Sequence, residues 1–297
     1  MRRRYTLELM LLGAILLWSL NLTVTRYILT HGFQPLAYAT VRYALATVLF
    51  VALTIAAERT LRIASGDVRV VLAAAAAILL NQICFVYALK NATATVVALV
   101  LGATPIFAAL FGLALGTERL PRRFWLGAAT SFAGVGLVAL GAGGELSGDL
   151  GGILLAIATA ATWALYSMAI VPLMRGYSPI RISSIVLAVG WIGIAAVGAR
   201  QTVHQDYALD WSVWLLLVLA TLGPLVLTNV IWYRSLHRIG PSRATLATNL
   251  QPFVAAIFAL VLLSERMTAL QVAGGACIAA GILVARRRST IPAPAGE

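Results

Sequence analysis

Charged residues are scarce in this sequence, and acidic residues are the scarcest of them. Charged residues make up 11% of the 297 positions, whereas soluble domains carry roughly 25%. The ten acids all fall at the ends of apolar runs or between them: Glu8, Glu58, Asp67, Glu118, Glu145, Asp149, Asp206, Asp210, Glu265 and Glu297. Because no carboxylate lies within a run, the sequence offers no mid-membrane group of the kind that usually relays protons.

Cysteines are also few, since only Cys84 and Cys277 occur, and both lie inside apolar runs without a CxxC pattern. A disulfide framework is not indicated, and buried packing is favoured over a metal or redox site. The chain lacks HExxH, GxSxG and GxxxxGK(S/T) sequences. These absences argue against an intramembrane enzyme and exclude an ATP-driven pump built on this chain alone. We predict no catalytic residues, no cofactor and no metal site.

Apolar residues, in contrast, make up 61% of the sequence. Runs of 18 or more residues with almost no charge recur along it, each long enough to cross the roughly 30 Å hydrocarbon layer as a helix. Open sheets are excluded there because unpaired backbone groups find no water. We therefore predict an all-α membrane protein with ten transmembrane helices, at residues 7–29, 35–57, 68–89, 94–115, 124–142, 151–174, 182–199, 211–233, 242–264 and 268–285.

The net charge of +12 comes from arginine, because Lys90 is the only lysine. The arginines are scattered among short loops, which indicates membrane topology and argues against a nucleic-acid partner. Alternate loops hold 17 basic residues on one side and four on the other, and Arg42 lies inside a span. Since basic loops stay in the cytoplasm, both termini are predicted to be cytoplasmic.

The chain repeats itself at a constant offset of 147 residues. PIFAALF at 105–111 precedes Glu118 as PFVAAIF at 252–258 precedes Glu265, which indicates an internal duplication. We predict a first five-helix repeat at 1–145, a second at 146–288 and a disordered cytoplasmic tail at 289–297. Since five is odd, the repeats are inverted relative to each other, an architecture that suits alternating access around a site near the midplane.

These motifs, together with Leu17-Trp18-Ser19 in the first helix, resemble the EamA branch of the drug/metabolite transporter superfamily over about residues 7–287. The resemblance implies a ten-helix carrier of small organic solutes in the bacterial inner membrane, most often an exporter of amino acids or other metabolites. It also implies a central cavity lined by both halves, with the last helix of each half more peripheral. The resemblance does not fix the substrate.

Polar and large aromatic side chains inside the spans indicate where a solute binds, because polar groups in lipid need a partner or a cavity. The candidates are Trp18, Asn21, Asn81, Gln82, Trp163, Tyr166, Asn229 and Asn249. Aromatic rings and uncharged amides suit an amphipathic solute, whose apolar part they enclose and whose polar end they hydrogen-bond. The alternative is that small polar residues only join helices to each other.

Arg42 lies about two turns inside the second span, with no acid in the same helix core. One hypothesis is that it attracts a substrate carboxylate, helped by Tyr38 and Tyr43. The alternative is that its long stem extends to the outer interface, as basic side chains do near the ends of membrane helices. The sequence leaves both open.

Three prolines, Pro105, Pro224 and Pro252, fall within predicted spans. A proline removes a helical hydrogen bond and bends the helix, so these positions are candidate hinges or gates, although packing alone also produces kinks. Glycines recur in the fifth and tenth helices and suit close helix packing. A homodimer through these helices is an alternative that the sequence allows.

We therefore expect a secondary transporter that moves small organic metabolites across the membrane by alternating access. Amino acids, aromatic ones among them, are the foremost substrates, and export is the expected direction. The expected partners are the solute and the lipid bilayer. A passive channel or facilitator for small neutral solutes is the alternative, and an intramembrane enzyme is a remote one.

Overall fold

The structure is a computed structural model that describes residues 2–116, 122–141, 146–229, 231 and 251–286. Every regular element in these ranges is helical. The α-helices are α1 Arg2–Thr30, α2 Pro35–Glu58, α3 Val68–Asn91, α4 Ala94–Leu101, α5 Thr104–Ala114, α6 Arg122–Gly141, α7 Leu146–Ile170, α8 Pro179–His204, α9 Trp211–Thr221, α10 Gln251–Leu262 and α11 Ala269–Arg286. The predicted all-α class is confirmed for the described chain, and the predicted tail at 289–297 lies outside it.

Six helical segments of the described chain are long and apolar enough to cross a bilayer: Leu12–Thr30, Pro35–Glu58, Ser65–Asn91, Ala94–Ala114, Leu150–Arg175 and Pro179–His204. Two shorter apolar segments, Trp211–Leu227 and Ala269–Ala285, follow them. Most of these segments agree with the spans expected from the sequence to within a few residues. The agreement arises because a bilayer requires both an apolar surface and a fully hydrogen-bonded backbone.

Helix starts coincide with residues that suit a first turn. Pro35 is the first residue of α2, and Pro179 is the first residue of α8. The N–H of a first helical residue has no partner inside the helix, so a proline there costs no hydrogen bond. Side-chain oxygens of Thr93, Ser178 and Asp210 accept hydrogen bonds from first-turn amides of α4, α8 and α9. Such caps satisfy donors that have no partner inside the helix.

The fourth predicted span consists of two helical segments. α4 ends at Leu101 and α5 begins at Thr104. Pro105 lacks the N–H that would donate to the Leu101 carbonyl in a continuous helix. The Thr104 hydroxyl donates to that carbonyl instead, at 2.6 Å. The span predicted at 94–115 is therefore interrupted next to Pro105, one of the prolines that were expected to bend a span.

The eighth predicted span changes its winding near Pro224. α9 passes at Thr221 into a π-helical turn, Leu222–Leu227, in which the Thr228 amide donates to the Gly223 carbonyl. Such i to i+5 turns are rare in proteins and occur mostly as single bulges, often at functional sites. The span predicted at 211–233 is therefore irregular at residues 222–227, around a proline that was expected to bend it.

The two repeats interleave rather than sit side by side. The most extensive helix pairings join one repeat to the other: α6 packs with α11, α3 with α7 and α2 with α8. α1 packs with α10, and α4 contacts both α7 and α10. Each repeat therefore completes the core of the other.

Small residues bring α6 and α11 into backbone contact. A Cβ atom added to Gly134 would lie 2.6 Å from the Gly274 carbonyl oxygen, and one added to Gly274 would lie 2.6 Å from the Gly134 carbonyl oxygen. Gly127 and Gly281 meet in the same way. These four glycines of α6 and α11, the fifth and tenth predicted spans, thus pack against each other within the chain, and the homodimer stays a prediction.

These contacts also show that α6 and α11 are antiparallel. Going along α6 from residue 127 to 134, the opposing residue on α11 falls from 281 to 274. Between them, the Ser131 hydroxyl donates to the Ile278 carbonyl at 3.1 Å, and these residues are 147 positions apart. A two-fold axis therefore relates α6 to α11. It passes near Ser131 and Ile278, which occupy the same position in the two repeats.

One end of the bundle is tied across the repeats by Glu265. Its carboxylate accepts hydrogen bonds from the Ala94 and Thr95 amides, each at 3.0 Å, and from the Thr95 hydroxyl at 2.8 Å. Glu265 lies in the second repeat and α4 in the first. A carboxylate at this position also complements the positive end of the α4 dipole.

Candidate functional site

A cavity of about 830 Å³ is lined by helices of both repeats. Its volume lies within the roughly 300–1,000 Å³ that small-molecule sites occupy. The predicted site residues that line it are Trp18, Asn21, Arg42, Tyr43, Asn81, Gln82, Trp163, Tyr166 and Asn229, together with Pro105, Pro224 and Pro252. The structure thus brings together residues that are up to 234 positions apart in the chain.

The π-helical turn forms one wall of the cavity because α1 holds it there. The Trp18 indole N–H donates to the Pro224 carbonyl at 3.0 Å. In the next residue of α1, the Ser19 hydroxyl donates to the Gln251 carbonyl at 3.1 Å. Side-chain bonds to backbone carbonyls therefore join α1 to the second repeat at the π-helical turn and at the first described residue of α10.

Pro224 also creates an acceptor for Arg42. In a regular α-helix the amide of residue 224 would donate to the Ala220 carbonyl, but a proline has no N–H. The Arg42 Nη2 donates to the Ala220 carbonyl at 3.1 Å. The same nitrogen donates to the Asn21 Oδ1 at 2.8 Å. The guanidinium is thus anchored to both repeats.

The rest of the Arg42 guanidinium is less well satisfied. The residue is 3% exposed, and its Nε has no hydrogen-bond partner among the described residues. The Tyr38 ring lies beneath the guanidinium, with its centroid 5.7 Å from Cζ. A side chain stretched to the lipid interface is therefore not the conformation in the structure.

Tyr38 does not line the cavity, in contrast to the prediction. Its side chain is fully buried, and its hydroxyl shares a 3.0 Å hydrogen bond with Thr25. Its ring makes an edge contact with Phe33 at 6.0 Å. Tyr43, one residue beyond Arg42, does line the cavity. Tyr38 therefore supports Arg42 from behind rather than facing a solute.

Asn81 and Gln82 form a polar strip on α3. The Asn81 Nδ2 donates to the Thr159 carbonyl at 2.9 Å, which joins α3 to α7. The Gln82 Nε2 donates to the Asn81 Oδ1 at 3.0 Å. Both amides line the cavity, and both also take part in helix contacts. The two alternatives weighed from the sequence, joining helices and lining a site, coexist here.

Two aromatic residues of α7 supply a broad apolar face. The rings of Trp163 and Tyr166 lie 5.4 Å apart at an angle of 42°. Trp163 is 37% exposed, and both side chains line the cavity. Aromatic faces of this kind stack against flat or apolar parts of a ligand.

Asn229 lies just beyond the π-helical turn and lines the cavity. Its Nδ2 donates to the Leu225 carbonyl at 2.7 Å. Asn249, the remaining predicted site residue, lies outside the described residues.

Several lining residues were not predicted, because they are apolar or have no side chain. Phe85 of α3, Met174 after α7, and Gly275 and Ile278 of α11 all line the cavity. The last helix of the second half is therefore not wholly peripheral. One sequence signal was available, since Gly275 departs from the apolar pattern of its helix. In the structure, a Cβ at Gly275 would lie 2.9 Å from a methyl carbon of Leu99.

The cavity carries a single formal charge among its described lining residues, that of Arg42. The described acids with resolved partners are engaged elsewhere. Glu58, at the end of α2, binds Ser178 and accepts from the Arg181 Nε at 2.7 Å. Glu265 binds the start of α4. The site is therefore cationic, aromatic and amide-lined.

Comparison with known proteins agrees with this architecture. No curated protein matches the chain. A solved structure described only as the crystal structure of a protein matches with a TM-score of 0.65 and 22% identity, over 95% of this chain and 96% of the other. At this identity the likeness concerns the fold alone. The EamA-like transporter family matches residues 6–140 and 150–287, one repeat each. The chain therefore belongs to the EamA-like transporter family, a family of membrane transporters, and carries two of its repeats.

Proposed function

We propose that this protein is a secondary transporter that exports small amphipathic metabolites across the bacterial inner membrane by alternating access. Amino acids, aromatic ones among them, are the foremost candidates. The observation that carries the proposal is the cavity lined by both repeats, in which aromatic rings face amides and one arginine. A site lined by two inverted repeats becomes accessible from either side when the helices exchange between the two related arrangements that the repeats allow.

The proposal includes ten spans in two inverted repeats. The antiparallel packing of α6 and α11 supports the inversion, because these helices are counterparts in the two repeats. If both helices cross the bilayer, the two repeats that contain them enter it from opposite sides. Inverted repeats provide two related arrangements of one fold, which is what alternating access requires.

Helix directions support a common, cytoplasmic end for both termini. The Arg26 Nη1 donates to the Leu89 carbonyl at 2.6 Å, so α1 and α3 end together. The start of α4 meets Glu265, so α11 begins at that same end. α1 therefore begins, and α11 finishes, at the opposite end. This second end also holds Arg59 and Arg181, in keeping with the preference of basic residues for the cytoplasmic side.

Counterflow in liposomes tests the proposal. Purified protein is reconstituted, loaded with one unlabelled amino acid at a time, and assayed for uptake of the labelled compound with and without a pH gradient. A carrier gives saturable uptake that internal substrate stimulates. Flux that rises linearly with concentration and ignores internal substrate would instead favour the channel.

A matched tryptophan pair links the flux to the cavity. Trp163→Ala removes an aromatic wall, and we expect KM to rise roughly tenfold, because an aromatic contact and its buried area are lost. Trp125 is 50% exposed on α6 and does not line the cavity. Trp125→Ala should leave KM within twofold of the wild-type value. If the two changes altered KM equally, transport would not depend on this cavity.

A further inference from the structure

The cavity contains a cation whose hydrogen-bonding capacity is only partly used. A guanidinium has five N–H donors. Both hydrogen bonds of Arg42 within the described chain start from Nη2 and end on neutral oxygens, those of Asn21 and Ala220. The Nε is buried without a partner among the described residues. The Tyr38 ring and these neutral acceptors offset only part of the charge, and a buried charge is costly unless it is paired.

The chain has no carboxylate within its spans to pair with Arg42. No Asp or Glu occurs at residues 9–57, 68–117, 150–205, 211–264 or 266–296. These ranges also cover most residues that the structure does not describe. The acids that flank the spans, such as Glu58, Asp210 and Glu265, have partners at the helix ends. An anionic partner for Arg42 must therefore come from outside the chain.

The same inventory is unfavourable for a substrate ammonium group. An ammonium needs acceptors, preferably a carboxylate. The described lining offers only neutral acceptors, and two of these, the amide oxygens of Asn21 and Asn81, each already accept one hydrogen bond, from Arg42 and Gln82. An ammonium in the cavity would also lie in the field of the Arg42 charge, which repels it. The site therefore distinguishes the two ends of an amino acid.

We propose that the solute is an amphipathic monocarboxylate, an organic acid whose carboxylate binds Arg42 and whose apolar or aromatic body lies against Trp18, Phe85 and Trp163. An ammonium group is neither required nor recognised by charge. The inference rests on the proposed transport function and deepens it. It changes the substrate class from amino acids as such to carboxylates, with or without an amino group.

Three matched probes test the inference without any mutation. 3-Phenylpropionate has the carboxylate only, L-phenylalanine has both charged groups, and phenethylamine has the ammonium only. Their binding to purified protein in detergent is measured at pH 7 by tryptophan fluorescence, because Trp18 and Trp163 line the cavity. We expect 3-phenylpropionate to bind at least as tightly as phenylalanine, and phenethylamine at least tenfold more weakly.

Two variants test whether the order of the probe affinities depends on Arg42. In Arg42→Gln, which removes the charge, the carboxylate probes should lose at least tenfold in affinity, while phenethylamine should bind no more weakly, because a repelling charge is lost. In Arg42→Lys, which keeps a charge, part of the preference should remain. Arg26→Gln is the matched control, because Arg26 bonds to the Leu89 and Lys90 carbonyls and does not line the cavity. It should keep the wild-type order of the probes.

The outcomes separate this inference from the proposed function. Phenethylamine binding as tightly as 3-phenylpropionate would overturn the inference, even if Arg42→Gln fails to fold. So would a tenfold carboxylate preference that survives in Arg42→Gln. If the wild-type protein carries amines or neutral amphipathic solutes in counterflow but no carboxylates, transport stands and the inference fails. If no solute shows saturable counterflow, the proposed function fails.

Discussion

Glu265 and Arg42 are both charged side chains that reach from one repeat to the other, but their surroundings differ. Glu265 accepts three hydrogen bonds, and both of its carboxylate oxygens are engaged. Arg42 donates only through Nη2 within the described chain. A fully satisfied charge stabilises one arrangement of its helices. A charge with unused hydrogen-bond donors can form further bonds to a ligand. Arg42 is therefore the better candidate for a binding residue.

Two seams, or contact regions, between the repeats differ in the same way, because one is closed and the other leaves room for a ligand. At α6 and α11, glycines let the backbones touch. At the cavity, tryptophan, tyrosine and amide side chains leave about 830 Å³ open. One duplication has therefore produced a tight seam and an open one.

Filling the tight seam should have the largest effect. In Gly134→Leu, the new side chain has no room beside the Gly274 carbonyl, so α6 and α11 must separate. Overpacking of this kind costs about 3 kcal/mol or more in the most crowded sites. We expect a large fall in the thermal midpoint, or loss of the monodisperse peak in size-exclusion chromatography.

Gly136→Leu is the matched control for this change. It lies on the same helix, and a Cβ there would meet nothing within 4 Å. Its thermal midpoint should stay near that of the wild type. If the two leucine variants were equally stable, the close approach of α6 and α11 would not be a feature of the folded protein.

Releasing the charged tie should have an intermediate effect. Glu265→Gln removes the negative charge and one of two acceptor oxygens at the start of α4, a loss of about 1–2 kcal/mol. Because 1.4 kcal/mol corresponds to a factor of ten, the amides of Ala94 and Thr95 should exchange hydrogen roughly tenfold faster by mass spectrometry. Arg266→Gln, an exposed neighbour in the same loop, should leave their exchange unchanged. Unaltered exchange in Glu265→Gln would mean that the tie does not hold α4.

Removing one hydrogen bond at the open seam should have the smallest effect. Trp18→Phe keeps an aromatic ring but loses the indole donor to the Pro224 carbonyl. The expected cost is about 1 kcal/mol, seen as a modest fall in the thermal midpoint. Trp125→Phe, on the exposed side of α6, should cost less. The bond to Pro224 would be unimportant for stability if the order were reversed.

The sequence predicted those features that depend on residue type and spacing alone. Apolar runs located most helices, because the bilayer imposes both their length and their composition. The offset of 147 indicated the duplication, but it did not predict that Ser131 and its counterpart Ile278 would meet. Membership of the EamA-like transporter family agrees with the resemblance seen in the motifs.

Side-chain direction was harder to predict. Tyr38 and Arg42 are four residues apart and share one face of α2, yet Tyr38 packs inward against Thr25 while Arg42 lines the cavity. The difference depends on the exact rotation of α2 against α1. No periodicity in a single helix contains that information.

The consequences of the prolines were also only partly predictable. Each proline was expected to free a carbonyl, but the donor that takes its place depends on distant packing. The Leu101 carbonyl is satisfied by nearby Thr104. The Ala220 carbonyl is satisfied by Arg42, 178 positions away. Only the folded arrangement of both repeats makes the second donor evident.

The π-helical turn at Leu222–Leu227 changes the direction of the side chains that follow it without changing which residues they belong to. Its wider winding accommodates one extra residue, so Thr228 and Asn229 are rotated by about 100° relative to their positions in an uninterrupted α-helix. Deleting a single residue there would turn Asn229 away from the cavity that it lines while leaving its identity intact. The lining of this cavity can therefore be altered by an insertion or deletion in the turn as well as by a point substitution.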